Sequence, residues 1–279
     1  MNSSPPVCPI CLAPARELAL RQRLMNRHDV SYYRCASCGL LQTEVPYWLD
    51  EAYATPIADT DTGILVRNQA NARLLDVLIR HAFDRSARFV DIAGGYGLLT
   101  RLLRDRGYDC WTNDKYTQNL FAQGFESFEG MSAGAVFAFE VLEHLHDPLA
   151  FLGEQFERFG CRNLVLSTLT FAEPAPEANW WYYSVDTGQH VSFYQSRTLA
   201  RMAGHLGCHY TRIDRQWHVF SEAPMNALLR EALQRPRWRA RLENWCFAHP
   251  VRPALTWTDH LEARRRLRCE EDSALPPSS

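Results

Sequence analysis

At 279 residues, with 46% hydrophobic and 22% charged residues, the chain has the composition of an ordinary globular protein. Its length allows one sizeable core with a small satellite unit. A net charge of −2 gives no global pull towards nucleic acid or anionic membranes. No apolar run approaches the ~20 residues that span a bilayer, and MNSSPPVCPI lacks the charged start and apolar core of a signal peptide, so the cytoplasm is the expected setting.

In chain order, residues 1–6 are expected to be disordered. Two C-x-x-C pairs follow, Cys8/Cys11 and Cys35/Cys38, separated by twenty-three residues. Four thiolates so spaced can surround Zn²⁺ tetrahedrally, and Gly39 suits the tight turn after the second pair. The alternatives are two unrelated thiol pairs or a thioredoxin-like redox pair; the latter wants a strand-to-helix junction that neither pair has. Ser31 to Arg34 reads as a strand of a small ribbon. So short a module buries little core, so zinc would supply much of its folding energy, making the metal structural rather than catalytic. Cys110, Cys161, Cys208, Cys246 and Cys269 are scattered and read as core or incidental thiols.

Residues 40–60 form a linker broken by Pro46 and Pro56, with helix N-caps on offer from Asp59 to Thr62. A helix is expected over 63–83, with Val66, Ala70, Leu74 and Leu78 on its buried stripe. Strands are expected at 88–93, 110–114, 135–139, 163–167, 208–215 and 217–222, with helices at 97–106 and 196–206. Another helix is capped by Asp147-Pro148 and turns Leu149, Leu152, Phe156 and Phe159 inward. This alternation implies an α/β fold with a doubly wound, mostly parallel sheet. From Ala223 the chain reads as helical and Arg-rich, with ten Arg against four acids up to Cys269 and a frayed tail beyond. The expected units are thus 1–45, 60–222 and 223–279.

The stretch from Phe89 to Leu99 reads as a buried strand, a glycine turn and a helix start. Gly94, Gly95 and Gly97 let the backbone turn sharply and lie close to a ligand, and the helix-start amides favour an anionic group. Asp91 stands at the strand end, and Asp114 ends the next strand, where an acid can accept both hydroxyls of a ribose. Phe139-Glu140-Val141-Leu142-Glu143-His144-Leu145-His146-Asp147-Pro148 follows the third strand, so its polar groups fall at the ligand crevice of an open α/β sheet. The connection 170–195 is long, carries Trp180 to Tyr183 and His190, and is placed to cover a substrate.

The D-x-A-G-G-x-G run resembles motif I of class I S-adenosylmethionine (SAM) methyltransferases, usually D/E-x-G-x-G-x-G, with Ala93 at its first glycine. The F-E-V-L-E-H-L-x-D-P run resembles the corresponding segment of the same family, and the order of motifs extends over roughly 60–222. The resemblance implies a Rossmann-like sheet that binds SAM through Asp91, Ala93, Gly94, Gly95, Gly97, Asp114 and Glu140. Together with the zinc module, the chain looks like deoxysugar C-methyltransferases without their large C-terminal domain. It implies methyl transfer to a small polar acceptor such as a sugar or nucleotide sugar. His190 is the first choice of general base, with His144 and Glu143 beside it, and Trp181, Tyr182 and Tyr183 are candidates for the substrate wall.

A second resemblance stays open. Glu140, Glu143, His144 and His190 are similar to the divalent-metal set of small-RNA 2′-O-methyltransferases, which implies Mg²⁺ or Mn²⁺ and an RNA or hydroxylated small-molecule acceptor. The third reading is a zinc-ribbon binding protein with no catalysis. A small molecule is the expected partner and nucleic acid the alternative; oligomeric state is not legible.

Overall fold

The computed structural model describes residues 7–54 and 61–274. The expected disorder of 1–6, Pro56 and the caps at Asp59 and Thr60 lie outside the described residues. The strands are β1 (Ala15–Leu24), β2 (His28–Cys35), β3 (Leu41–Thr43), β4 (Phe89–Ile92), β5 (Cys110–Asn113), β6 (Ala135–Phe139), β7 (Leu164–Ser167), β8 (Ser192–Phe193), β9 (His209–Arg212) and β10 (Trp217–Ser221). The helices are α1 (Leu49–Ala52), α2 (Ile64–His81), α3 (Leu98–Arg104), α4 (Pro148–Phe159), α5 (Ser196–His205), α6 (Ala227–Gln234), α7 (Pro236–Ala248) and α8 (Thr256–Ala274).

Six strands form the main sheet in the order β5-β4-β6-β7-β10-β9. The first four run parallel, and β10 pairs antiparallel with both β7 and β9. Alternate residues of each strand feed opposite faces, as the pleat requires. Val90, Val136 and Leu164 pack with Leu152 and Phe156 of α4 and Leu199 of α5. Phe89, Phe137 and Val165 pack on the other face with Leu74 and Leu78 of α2 and Leu103 of α3. This is the expected doubly wound, Rossmann-like arrangement. Asp147 caps α4 by accepting from the amide of Ala150 (3.1 Å), with Pro148 in the first turn. The stripe expected on α2 is only half right. Val66 is 70% exposed, since burial along α2 begins only at Asn71.

The N-terminal region is larger than one ribbon strand. β1 and β2 form a hairpin whose Met25 and Asn26 both take positive φ, 51° and 56°, as a tight hairpin turn of this hand requires. β3 pairs with β2, and the fourth strand, β8, comes from the long connection after β7. Phe171, Tyr182, Tyr183, Val191 and Phe193 of that connection share a core with Leu24, Val30, Tyr32, Leu41 and Trp48. The connection is therefore packed structure, and its length reflects a second sheet to complete.

The Arg-rich C-terminal helices dock on α2 and α3 through buried charge. Arg104 forks onto Asp259 with 2.7 and 2.8 Å bonds. Arg80 and Arg106 both grip buried Asp76 and both donate to the carbonyl of Cys246, at 2.7 and 2.9 Å. The tail expected to fray after Cys269 continues as helix to Ala274. Among the described residues no helix is long and apolar enough to cross a membrane.

Candidate functional site

The first half of the site is the glycine turn after β4. Ala93 takes φ 55°, a left-handed conformation that an L residue adopts at a cost, which is why glycine suits this position. Gly94 lies on the side chains of β4 and β5. A Cβ there would meet Thr112 Oγ1 at 2.5 Å and Asp91 Oδ2 at 2.6 Å. Gly97, at φ 79°, caps α3 and lies against Asn119. Asp114 holds the turn: Oδ2 accepts from the amide of Gly95 (2.9 Å), and Oδ1 accepts from those of Tyr116 and Thr117 (both 2.8 Å). Asp91 is 3% exposed; burial first, then the charge of Asp114, pushes its carboxyl up to about 8. A cationic ligand group would reverse that shift by favouring the carboxylate.

The second half follows β6. Glu140 sits at φ 54°, and its carboxylate accepts the hydroxyl of Ser167 on β7. Glu143 and His144 lie on the short 3₁₀ turn Leu142–His144. Glu143 is fully buried, and its Oε1 accepts from the hydroxyl of Tyr182 (2.8 Å), while Oε2 is buried with no hydrogen-bond partner. Burial, then the charge of Glu140, pushes Glu143 up to about 8. His144 Nδ1 lies 3.2 Å from the carbonyl of Gln189, and His190 Nδ1 lies 2.7 Å from that of Tyr182. A carbonyl only accepts, so both Nδ1 atoms carry the proton and both Nε2 atoms keep a lone pair. Burial lowers both rings, His144 to about 3 with help from His190, and His190 to about 4. The two rings stand edge to face at 4.8 Å. Ligand atoms of Glu143, His144 and His190 lie within 4.8 Å of one another. Glu140 stands outside this group, so the expected metal quartet is a trio here, with the carboxylate of Glu140 engaged by Ser167 instead.

The aromatic residues divide. Trp181 is 74% exposed. Tyr182 is buried, with its hydroxyl on Glu143 and on the amide of Leu169 (3.0 Å). Tyr183 is fully buried against Tyr32 and Phe193, and its hydroxyl donates to the carbonyl of Pro176 (3.0 Å). That packing corrects the substrate-wall expectation for Tyr183: the second sheet needs its ring as core.

Tyr53, just after α1, escaped the sequence reading. Its ring stacks on Tyr116 at 5.1 Å and lies 6.2 Å from His144. Burial, then Tyr116, Glu143 and Asp114, raises its hydroxyl pKa, so it sits between the glycine-turn acid and the histidine pair. A single tyrosine beside a proline-bearing linker carries no local signal of that placement.

The four N-terminal cysteines converge, with Cys8 and Cys38 Sγ atoms 3.5 Å apart and Cys11 and Cys35 3.4 Å apart. A tetrahedron with 2.3 Å Zn–S bonds has edges of about 3.8 Å, so the set fits a thiolate-bound ion. Sharing the proton of Cys38 lowers the Cys8 thiol to about 5. Gly39 turns at φ 86° directly after the second pair.

A family model described as a methyltransferase domain matches residues 66–213. No curated protein matches the chain. Among solved structures, TnmH is 19% identical with a TM-score of 0.44, covering 63% of this chain and 60% of that one. CalO1, a methyltransferase in calicheamicin biosynthesis solved with SAH bound, is 13% identical with a TM-score of 0.43, covering 63% and 61%. The 1,6-didemethyltoxoflavin-N1-methyltransferase of Burkholderia thailandensis is 14% identical with a TM-score of 0.45, covering 74% and 97%. The chain thus spans about three fifths of TnmH and of CalO1.

Proposed function

Because this chain belongs to the methyltransferase-domain family, we propose that it transfers a methyl group from SAM to a small polar acceptor, a sugar or nucleotide-linked metabolite. The observation that carries the reading is the juxtaposition at the carboxyl ends of β4, β5 and β6. A glycine turn tied to two acids stands beside a buried pair of neutral imidazoles. SAM supplies an electrophilic methyl group. In this reading Asp91 meets the cationic methionine end, and Asp114, with Gly95 and Gly97, holds the ribose side of the cleft. His190 Nε2 takes the acceptor's proton while its Nδ1–H stays on the carbonyl of Tyr182, which fixes the ring. Holding donor and acceptor aligned and dry supplies much of the rate. Trp181 and Tyr53 are the exposed and half-buried aromatics offered to an acceptor.

The four cysteines bind zinc structurally in this reading, with no open position for substrate, and free thiolates suit a reducing cytoplasm. Together with the methyltransferase fold they support the likeness to deoxysugar C-methyltransferases. The test is calorimetric titration of the zinc-loaded protein with SAM and S-adenosylhomocysteine (SAH), followed by labelled-methyl transfer to a panel of nucleotide sugars. A folded, zinc-loaded sample that binds neither ligand ends the proposal.

The orphaned Oε2 of Glu143 favours one second reading. Glu143, His144 and His190 present one oxygen and two nitrogens to a common point, a donor set that suits Mn²⁺ better than Mg²⁺. A divalent ion there would acidify a hydroxyl of RNA or of a small molecule. Transfer that survives both EDTA and Glu143→Ala removes this reading.

A further inference from the structure

The cysteine knuckle and the Glu143 turn are far apart in sequence but joined by an unbroken run of contacts. At the knuckle, the amide of Cys35 donates to the carbonyl of Leu40 (2.9 Å), and Thr198 of α5 donates its hydroxyl to the carbonyl of Cys38 (2.8 Å). Leu41 then starts β3, where Leu41 pairs with Phe193 and Gln42 with Ser192. The amide of Thr43 donates to the carbonyl of Val191 (2.9 Å). On its other side the same stretch clamps the catalytic turn. The amide of Val191 donates to the carbonyl of Glu143 (2.8 Å), Ser192 Oγ to that of Leu145 (2.7 Å), and the Tyr194 hydroxyl to that of Leu142 (2.7 Å). Cys8, Cys35, Cys38, Leu40, Leu142 and Tyr194 share one buried cluster.

We propose that the cysteine knuckle is the positioning element of the Glu143/His144/His190 cluster: its closure sets the register of β3 against β8 and thereby places His190 beside His144. The β3–β8 pairing is two residue pairs long, too short to hold itself. It depends on being anchored at both ends, by the knuckle, Thr198 and Tyr194 at one and by the bond from the amide of Val191 to the carbonyl of Glu143 at the other. Without metal, a sheet this small is marginal, so its last strand is the first to be released. Tyr194 and Thr198 act through that strand and are positioning residues. The inference uses the proposed function only in regarding the cluster as the reacting centre; the mechanical link stands without it.

The experiment is residue-resolved hydrogen exchange on the full chain, first loaded with zinc, then stripped with a strong chelator, then reloaded with Co²⁺. Stripping should speed exchange at the amides of Thr43, Val191 and His144 by at least about tenfold, with β4 and β5 still protected. Co²⁺ should restore the protection, and the ring signals of His144 and His190 should move and return in step. A Tyr194→Phe variant with full zinc content should show faster exchange at Leu142 to Leu145 alone. Unchanged exchange at Val191 and His144 on stripping overturns the proposal, as does loss of protection in β4 and β5 at the same rate. SAH titration of the zinc-loaded protein runs beside these measurements. Its failure would remove the methyltransferase reading and leave the exchange result to decide the link on its own.

Discussion

Gly94→Ala tests the glycine turn directly. The added methyl would lie 2.5 Å from Thr112 Oγ1 and 2.6 Å from Asp91 Oδ2. Both side chains are buried, at 2% and 3% exposure, and Asp91 and Thr112 are register partners on adjacent parallel strands. Both side chains sit in the buried seam between β4 and β5, so making room needs them to turn within packed surroundings or the turn to lift. Overpacking of this kind costs about 1–3 kcal/mol. The lift also pulls the amide of Gly95 off Asp114, on the side of the turn where the proposed function puts the cofactor. At about 1.4 kcal/mol per factor of ten, SAH affinity should weaken by roughly ten- to a hundredfold. The control is Gly153→Ala in α4, where a Cβ meets nothing within 4 Å. It should gain about 0.5–1 kcal/mol of helix stability and leave SAH binding alone. Calorimetric titration and thermal melts of both variants decide the matter. A Gly94→Ala protein that binds SAH within twofold of the parent and melts at the same temperature would refute the tight-turn argument.

Glu143→Gln should fold well and gain stability relative to the parent as pH rises. The folded protein holds a proton on Glu143 that the unfolded chain gives up above about 4.5, so the native carboxyl is a growing penalty from there to about 8. Gln carries no such penalty, and the melting-temperature difference between variant and parent should therefore widen from pH 5 to pH 8; a constant difference would count against the buried neutral carboxyl. Asp259→Ala leaves Arg104 buried without its forked partner, with Asp109 as partial relief, and should cost about 3 kcal/mol in denaturant unfolding. Parent-like stability would mean that the C-terminal helices are held by other contacts. His190→Ala should cut methyl transfer by about a hundredfold or more while SAH binding is kept. Because the ring stays neutral down to about 4, the parent's rate should not fall between pH 8 and pH 5.5 through loss of this base; a drop centred near 6.5 that vanishes in a His190 variant would contradict the buried geometry.

What was legible in the sequence was written in local patterns. Apolar runs ending in Asp91 and Phe139, the glycines after β4 and the spacing of four cysteines each act within a dozen residues or so, and the structure assembles them as their types suggest. What was hidden rests on partners far along the chain. Nothing near Tyr183 tells that Tyr32 needs its ring as core, and nothing near Glu140 tells that Ser167 engages its carboxylate. The Arg-rich extension shows in sequence only its composition and helical character, not how it is attached. The attachment rests on Arg80, Arg104 and Arg106 of the sheet domain, which reach out to carbonyls and to Asp259 of the extension. β1 was missed because its Ala, Leu, Glu and Arg favour helix, a preference overruled by pairing with β2.

The late strand β8 also imposes an order on synthesis. Leu41 and its partner Phe193 lie about 150 residues apart, so a ribosome adding about 5–20 residues per second makes the first wait roughly 10–30 s for the second. Throughout that interval β3 offers an open edge, with unpaired backbone groups that invite pairing with any other strand. The four cysteines are complete early, but the histidine pair can form only after both β3 and β8 have been made. A chain stopped short of residue 190 would therefore carry a finished glycine turn, an unfinished histidine cluster and a sticky edge, which makes premature termination a hazard of aggregation.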